Sequence, residues 1–499
     1  MKNNFSIRGF FLTKNGAYCI IEIDLKRGAP MVFSSLIFLF AFLPLTLLTY
    51  YLVGRRWRNV VLLGFSLLFY GWGEPVYLFL MVLSITTAYV FGFFIERYRT
   101  SEPRRARRAM ILSLGINLAF LFFFKYYNFI VSNLSLLPYV EIPTIKRLAL
   151  PIGISFYTFQ IMSYTVDLYR GDCALQRSYV SFGTYVTLFP QLIAGPIVRY
   201  RDVDEQLAER RETLEDFSEG ISRFCAGLAK KILVGDMLAA GHAYFKTLAL
   251  QSSTTLGAWM TVLLYTLHLY YDFSGYSDMA IGLGRMLGFK FPENFNYPYI
   301  AKSITEFWRR WHISLSTWFR EYVYIPLGGN RRGEAKRYRN MAMVWLLTGF
   351  WHGASWNFVL WGVYYCVLLI AEKAFLLKAL ERLPAVIGHV YTLFVVTVGF
   401  LIFSFVDLRE GWACFSALFG FGVTGFASQV VWYQILHLLP LLLIAAVGAT
   451  PLPKRCFEVL QKKAPRTRIL VPVLCAAALI LCTAYLVDST FSPFAYTQF

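Results

Sequence analysis

The chain has 499 residues, 57% hydrophobic and 18% aromatic, with a mean hydropathy of +0.51. Charged residues make up only 15%, against about 25% in a typical soluble domain, which excludes a soluble fold carrying one anchor and indicates a polytopic membrane protein. The net charge of +19, from 48 Lys and Arg against 29 Asp and Glu, does not indicate nucleic acid, because the basic residues cluster in short segments between apolar runs, where orientation in a bilayer accounts for them.

The first thirty residues, MKNNFSIRGFFLTKNGAYCIIEIDLKRGAP, lack the apolar h-region of roughly 7–15 residues and the small-residue cleavage site of a signal peptide. Two readings stand: an ordered extension, or a spurious or disordered stretch ahead of true initiation at Met31. The second is favoured, since this basic stretch falls on the wrong side of the membrane in the topology that follows. A helical span needs about 20 mostly apolar residues. Spans are expected at 32–53, 59–73, 75–95, 110–137, 148–168, 257–272, 341–371, 387–406, 429–448 and 469–487. The segments 178–198 and 217–245 are apolar but broken by Pro, Gly or charge, and fit re-entrant or tilted helices. The total is about ten to twelve membrane helices, with no repeat at a fixed period, so 31–499 forms one polytopic domain.

The basic loops 55–58, 97–108 and 454–468 face the cytoplasm by the positive-inside rule. Turns 73–75 and 138–144 are nearly free of Lys and Arg and face out, as does the tail DSTFSPFAYTQF. The eight Cys form no CxxC pair and no zinc spacing, and read as small core hydrophobes.

Three stretches carry ionisable residues at or beside membrane depth. In LHLYYDFSGYSDMAIGLGRMLGF (267–289), His268 and Asp272 are four apart and share a helix face. Asp278 follows an expected break at 274–275. The two carboxylates either cap helix ends exposed there, or serve a proton relay or orient a catalytic imidazole. In ITEFWRRWHISLSTWFREYVYIPLGGNRR, a single helix places Phe307, Trp308, Trp311, Leu315, Trp318, Phe319 and Tyr322 within an arc of about 120°. Arg309, Arg310, Arg320 and Glu321 fall opposite, which predicts an interfacial helix on the membrane surface, with His312 at the border of the apolar arc. The third run, 341–371, spans about 46 Å as a helix against a hydrocarbon core of about 30 Å. It is therefore strongly tilted or broken in two, and Gly349, Gly353, Ser355 and Asn357 around His352 favour a break there. An intramembrane histidine is a functional hypothesis by default. His242, His389 and His437 have no comparable surroundings and read as structural or peripheral.

These residues carry a resemblance. YYDFSGYSDMAIGLGRMLGFKFPENFNYPYIAKSITEFWRRWHISLSTWFREYVYIPLGGNR, followed by LTGFWHGASWNFVLWG, resembles the membrane-bound O-acyltransferases, in the bacterial branch that acetylates exopolysaccharides such as alginate. The similarity extends to MVFSSLIFLF, LPIGISFYTFQIMSYTVDLYRG, FPQLIAGPIVRY and the aromatic tail, nearly the whole chain from Met31. It implies an all-α integral membrane protein: a ring of about ten to twelve tilted helices, with re-entrant or interfacial helices around a central funnel. The family histidine falls at His352 and the second family position at His312. The resemblance also implies a bacterial inner-membrane location, a cytoplasmic donor expected to be acetyl-CoA, and an acceptor on the outer side, either polysaccharide or a periplasmic protein that relays acetyl to it. No bound cofactor and no metal are expected.

Acyl transfer to a hydroxyl needs a base, a stabilised oxyanion and close placement of two substrates. An imidazole, with an ordinary pKa near 6.5, suits the base, and that role is expected of His352. His312, with polar groups such as Asn357, would position substrate or stabilise the oxyanion. Asp272 would orient an imidazole, and Trp311 belongs with the supporting residues. Arg309, Arg310, Arg320, Arg331 and Arg332 suit the phosphates of an acyl-CoA, although topology anchoring explains them equally well. Neither a GxSxG elbow nor a Cys–His motif is present, which favours direct transfer over an acyl-enzyme. The alternative from another class is a proton-coupled transporter using His268, Asp272, Asp278 and His352 as a relay.

Overall fold

The computed structural model describes residues 5–12, 18–25, 31–137, 148–251, 253–331 and 333–488. The turn expected to face out at 138–144, Arg332, and the tail from 489 onward lie outside the described residues. Within the first thirty residues, β1 (Phe5–Leu12) and β2 (Tyr18–Leu25) pair antiparallel, with Phe5 opposite Leu25. Beyond them, every regular element among the described residues is helical.

A π-helical turn at Phe38–Phe42 leads into α1 (Leu43–Leu52), followed by α2 (Arg58–Gly73), α3 (Tyr77–Tyr98) and α4 (Pro103–Leu134). Next come α5 (Ile154–Arg170), α6 (Tyr179–Thr187), the single turn α7 (Phe189–Leu192) and α8 (Asp204–Ala208). Helix α9 (Leu214–Ala229) continues through a π-helical stretch, Lys230–Asp236, into α10 (Met237–Gln251), and α11 (Thr255–Met286) doubles back along both. The remainder holds α12 (Ile304–Arg310), α13 (Ile313–Phe319), α14 (Glu334–His352), α15 (Trp356–Ala371), α16 (Leu377–Arg382) and α17 (Ala385–Ser404). The chain ends with α18 (Leu408–Leu418), α19 (Gln429–Gly448), α20 (Leu452–Lys463) and α21 (Leu470–Asp488).

Among the described residues, six helical stretches are long and apolar enough to cross a membrane: α3, α4, Trp356–Glu381, α17, α19 and Arg466–Asp488. The count is below the ten to twelve expected because several apolar runs fold as shorter or more polar helices, such as α2, α5 and the charged α11. Helices α19 and α21 expose Leu436, Leu443, Ile444, Val473, Leu474 and Ile480, the pattern of surfaces solvated by lipid rather than water. The interior is aromatic, with Trp311, Trp361, Tyr157, Tyr164, Tyr276 and Tyr365 each fully buried.

Helix α11 corrects the expected break at 274–275. It runs unbroken for 32 residues, so Asp272 and Asp278 cap no helix end. The glycines serve close approach instead. A Cβ on Gly275 would sit 2.8 Å from the Gly227 carbonyl of α9, and one on Gly282 would sit 2.6 Å from that of Gly220. The two helices therefore pack backbone to backbone, as small residues permit in membranes. At one end of the bundle Glu212 meets Arg58 at 2.5 Å and also accepts from Tyr50. Burial works against the Glu212 charge, but the Tyr50 hydroxyl and the Arg58 guanidinium outweigh it and hold the carboxyl below the usual carboxylate range.

Two outcomes follow. Gly275→Ala should lower the melting temperature in detergent, since overpacking costs about 1–3 kcal/mol. Gly64→Ala, where nothing lies within 4 Å of a new Cβ, should leave it unchanged or raise it. The depressed Glu212 pKa contributes stability that is present above the unfolded value and lost as pH falls through the folded one. The difference in melting temperature between wild type and Glu212→Gln should therefore close on acidification from neutral pH to below about 4; a constant gap would remove the carboxylate from the account.

Candidate active site

The run 341–371 is not one tilted span. It folds as a helical hairpin, α14 up to His352 and α15 back from Trp356. A Cβ on Gly349 would lie 2.5 Å from the Phe358 carbonyl, and one on Gly362 would lie 2.7 Å from that of Trp345. The two arms thus touch through glycine backbone, and a side chain at Gly353 would strike the Phe358 ring. Ending a helix inside protein leaves its last carbonyls in need of donors. Helix α4 supplies them. The Tyr126 hydroxyl donates to the Phe350 carbonyl, and the Lys125 ammonium donates to those of Trp351 and His352, the latter at 3.5 Å. Lys125 also donates to Ser155 Oγ at 3.2 Å.

The His352 ring is buried among Trp361, Trp351 and Phe403, with centroids 4.9, 5.0 and 5.2 Å away and all three edge-on. Asn357 is fully buried one turn on, but its amide donates to the carbonyls of Phe403 at 3.1 Å and Ile402 at 3.4 Å. It ties α15 to α17.

The second histidine also sits at a break. The single interfacial helix expected over 304–322 is two short helices with a kink at Trp311 and His312, followed by a π-helical turn at Arg320–Tyr324. Phe307, Trp311, Trp318 and Phe319 are buried in the core rather than laid along a surface, because the run is too apolar and too well packed to remain outside. His312 adopts φ 45°, ψ 54°, a left-handed conformation rare outside glycine, and such strain is held only where surrounding contacts over-determine it. Asn294 provides them. Its Oδ1 accepts from His312 Nδ1 at 3.0 Å and from Ser314 Oγ at 2.9 Å, and its carbonyl accepts from Ile313 N at 3.0 Å. An amide oxygen only accepts, so the hydrogen sits on His312 Nδ1, which leaves the lone pair on Nε2.

The two imidazoles meet across Trp351, whose ring centroid lies 6.0 Å from that of His312 and 5.0 Å from that of His352. Trp308 inserts into the hairpin, 4.8 Å from Trp345, 5.5 Å from Trp361 and 4.9 Å from Tyr365. At the other end of α12, the buried Glu372 carboxylate accepts from Ile304 N at 2.6 Å and Thr305 N at 2.7 Å. Trp311 stacks on Phe307 at 5.6 Å and packs on Phe400.

The remaining sequence-derived residues are not gathered at this point. Asp272 pairs with Lys231 at 3.0 Å, and Asp278 with Lys230 at 2.6 Å and Arg223 at 2.9 Å. His268 Nδ1 bonds the Gly235 carbonyl at 3.0 Å. Three of the four groups of the proton relay, all but His352, are thus engaged with α9 or the π-helical stretch after it. Arg310 pairs with Glu306 at 2.9 Å, Arg320 is exposed beside Glu321, and Arg309 and Arg331 are exposed. Sequence reasoning missed Lys125 and Asn294. Lys125 had a signal, a lone cation inside LFFFKYYNF; Asn294, in a polar loop, had none.

Two buried histidines thus stand at two helix breaks inside a polytopic helical bundle. Comparison with known proteins fixes the family: the chain belongs to the membrane-bound O-acyltransferases, matching that family over residues 171–406. It is 45% identical to the probable alginate O-acetylase AlgI of Pseudomonas aeruginosa over 79% of this chain and 75% of that one. It is 36% identical to the peptidoglycan O-acetyltransferase of Helicobacter pylori over 71% and 72%. A teichoic acid D-alanyltransferase of Bacillus subtilis is 31% identical over 51% and 68%.

Lys125→Met keeps the aliphatic stem and removes the donor. It should cost about 1–3 kcal/mol of stability and reduce acyl-transfer turnover at least about tenfold as the His352 turn loosens. Retention of both thermal stability and turnover in detergent would show that the turn holds itself.

Proposed function

We propose that this protein transfers acetyl from cytoplasmic acetyl-CoA to a hydroxyl on the outer side of a bacterial inner membrane, for O-acetylation of an extracellular polysaccharide such as alginate. The observation that carries this reading is the meeting of His312 and His352 across Trp351 at two backbone breaks. The names of the relatives, an alginate O-acetylase and a peptidoglycan O-acetyltransferase, supply the acetyl group and the polysaccharide class. The positive-inside rule, applied to the basic loops 55–58, 97–108 and 454–468, supports a cytoplasmic placement for them. The acceptor is polysaccharide or a periplasmic protein that relays acetyl to it.

The acceptor oxygen attacks the thioester carbonyl, a C–O bond forms, and the C–S bond to CoA breaks. The hydroxyl proton passes to the His352 imidazole and on to the departing thiolate. His312, fixed by Asn294 with its hydrogen on Nδ1, accepts through Nε2 from a hydrogen donor at the reacting centre. The first turn of α15 begins four residues beyond His352, so its amides place positive potential beside the developing oxyanion. Exclusion of water by the aromatic walls protects the thioester from hydrolysis. Asp272 acts at a distance by fixing α11 to Lys231. Exposed Arg309 and Arg320 suit the phosphates of the donor.

The test is acetyl transfer from labelled acetyl-CoA by purified protein in detergent. His352→Ala should lower turnover by about 10²–10⁴, with melting temperature little changed, and His312→Ala should lower it as well. Undiminished turnover in His352→Ala would remove the base, and undiminished turnover in both variants would reduce the chain to a scaffold.

A further inference from the structure

Helix α20 (Leu452–Lys463) has 12 residues and buries none of them. A helix of that length is marginal in water on its own, so it draws stability from a surface outside the protein core. At 100° per residue, Leu452, Cys456, Val459 and Leu460 fall within an arc of about 100°. Leu452, Val459 and Leu460 are 55%, 50% and 44% exposed, so the protein leaves this apolar face largely uncovered. Lys454, Arg455, Glu458 and Lys462 take the other side. Lys463 interrupts the apolar arc in the last turn, where a lysine stem can lie along apolar surface while its ammonium reaches out.

The charge on this segment is unbalanced. Lys454, Arg455, Lys462, Lys463, Arg466 and Arg468 stand against one carboxylate, Glu458, and all six cations are exposed. Lys454 lies 4.0 Å from Glu458, and the other five enter no ion pair among the described residues. An apolar face with a cationic rim suits the boundary between acyl chains and headgroups. The place in the fold agrees. Helix α20 joins α19 to the stretch Arg466–Asp488, both long and apolar enough to cross a membrane, so it lies where the chain leaves the hydrocarbon and enters it again. Ile469 and Leu470, exposed at the start of α21, continue the apolar surface toward the bilayer.

We infer that α20 is a docking surface for anionic phospholipid, with its apolar face set into the acyl boundary and its cations on lipid phosphates. The inference is independent of the acetyl-transfer reading above. Charge complementarity selects the occupant: a zwitterionic surface would cover Leu452, Val459 and Leu460 but leave five cations without counter-charge. Lysine ammonium and arginine guanidinium both bind phosphate, and each cation near an anionic surface adds a small increment that sums over the cluster. Orientation during membrane insertion draws on the same cations, but it predicts no dependence of the folded helix on headgroup charge.

The experiment follows backbone hydrogen exchange of residues 454–463 in the full chain, reconstituted in nanodiscs of phosphatidylcholine alone or of phosphatidylcholine with phosphatidylglycerol. Exchange should be about tenfold slower or more where phosphatidylglycerol is present, and high salt should remove most of the difference. K454Q/R455Q/K462Q/K463Q, at exposed positions and with little change in helix propensity, should exchange alike in the two lipids. The inference is overturned if wild-type α20 exchanges at the same rate in both lipids, if high salt leaves the difference intact, or if the glutamine variant responds to phosphatidylglycerol as wild type does. It is also overturned if inorganic phosphate added to phosphatidylcholine discs slows exchange as much, since the ligand is then a soluble anion. The salt comparison uses wild type alone and decides the matter even where the variant fails to fold.

Discussion

A helix that stops inside a membrane protein strands its final carbonyls where no water can reach them, and the solution to that constraint organises this molecule. The donors come from one turn of α4: the Tyr126 hydroxyl and the Lys125 ammonium take the carbonyls of Phe350, Trp351 and His352. Without them the α14–α15 hairpin would have to continue as helix or open to solvent, and His352 would have no fixed place. The lysine is costly to bury, and its location at a helix C-terminus, on three oxygen acceptors, is among the few that offset the cost. His312 faces the same constraint by another route. There the amide of Asn294 holds a left-handed residue between two short helices.

Packing supports both breaks with the same two devices, glycine and aromatic rings. Gly349 and Gly362 let α14 and α15 touch, as Gly220, Gly227, Gly275 and Gly282 do for α9 and α11. Rings then fill the space that backbone contact leaves. Phe159 stacks on Trp318 at 3.8 Å and lies 5.6 Å from Trp351, which carries the contact to both imidazoles. Ring edges and faces around the histidines make their surroundings apolar.

Much of this was legible in the sequence, for reasons that differ between elements. Length arithmetic exposed the break at His352, because 31 apolar residues exceed the thickness of a bilayer as one helix. The same reasoning failed at 274–275, where glycine serves helix approach rather than interruption, and composition alone does not separate the two uses. Periodicity placed Phe307, Trp311 and Trp318 on one face but could not register that a left-handed residue divides them. Asp272 was expected to orient an imidazole, yet it forms an ion pair with Lys231 of a neighbouring segment, a pairing that no local pattern encodes. Lys125 lies more than two hundred residues from the histidine that it serves, and its role exists only once α4 and α14 are packed.

The Glu372 carboxylate gives the site a mechanical character. It grips the first amides of α12 from the far end of the hairpin, while Trp308 is wedged between the hairpin arms. The segment leading to His312 is thus clamped at both ends to the same hairpin that carries His352. The two imidazoles belong to one closed frame rather than to two cantilevers, and thermal motion that displaces one carries the other with it. A reaction needing both groups at a single carbonyl can then tolerate breathing of the surrounding helices, since the gap between the rings is set inside the frame and not by the distance across the bundle.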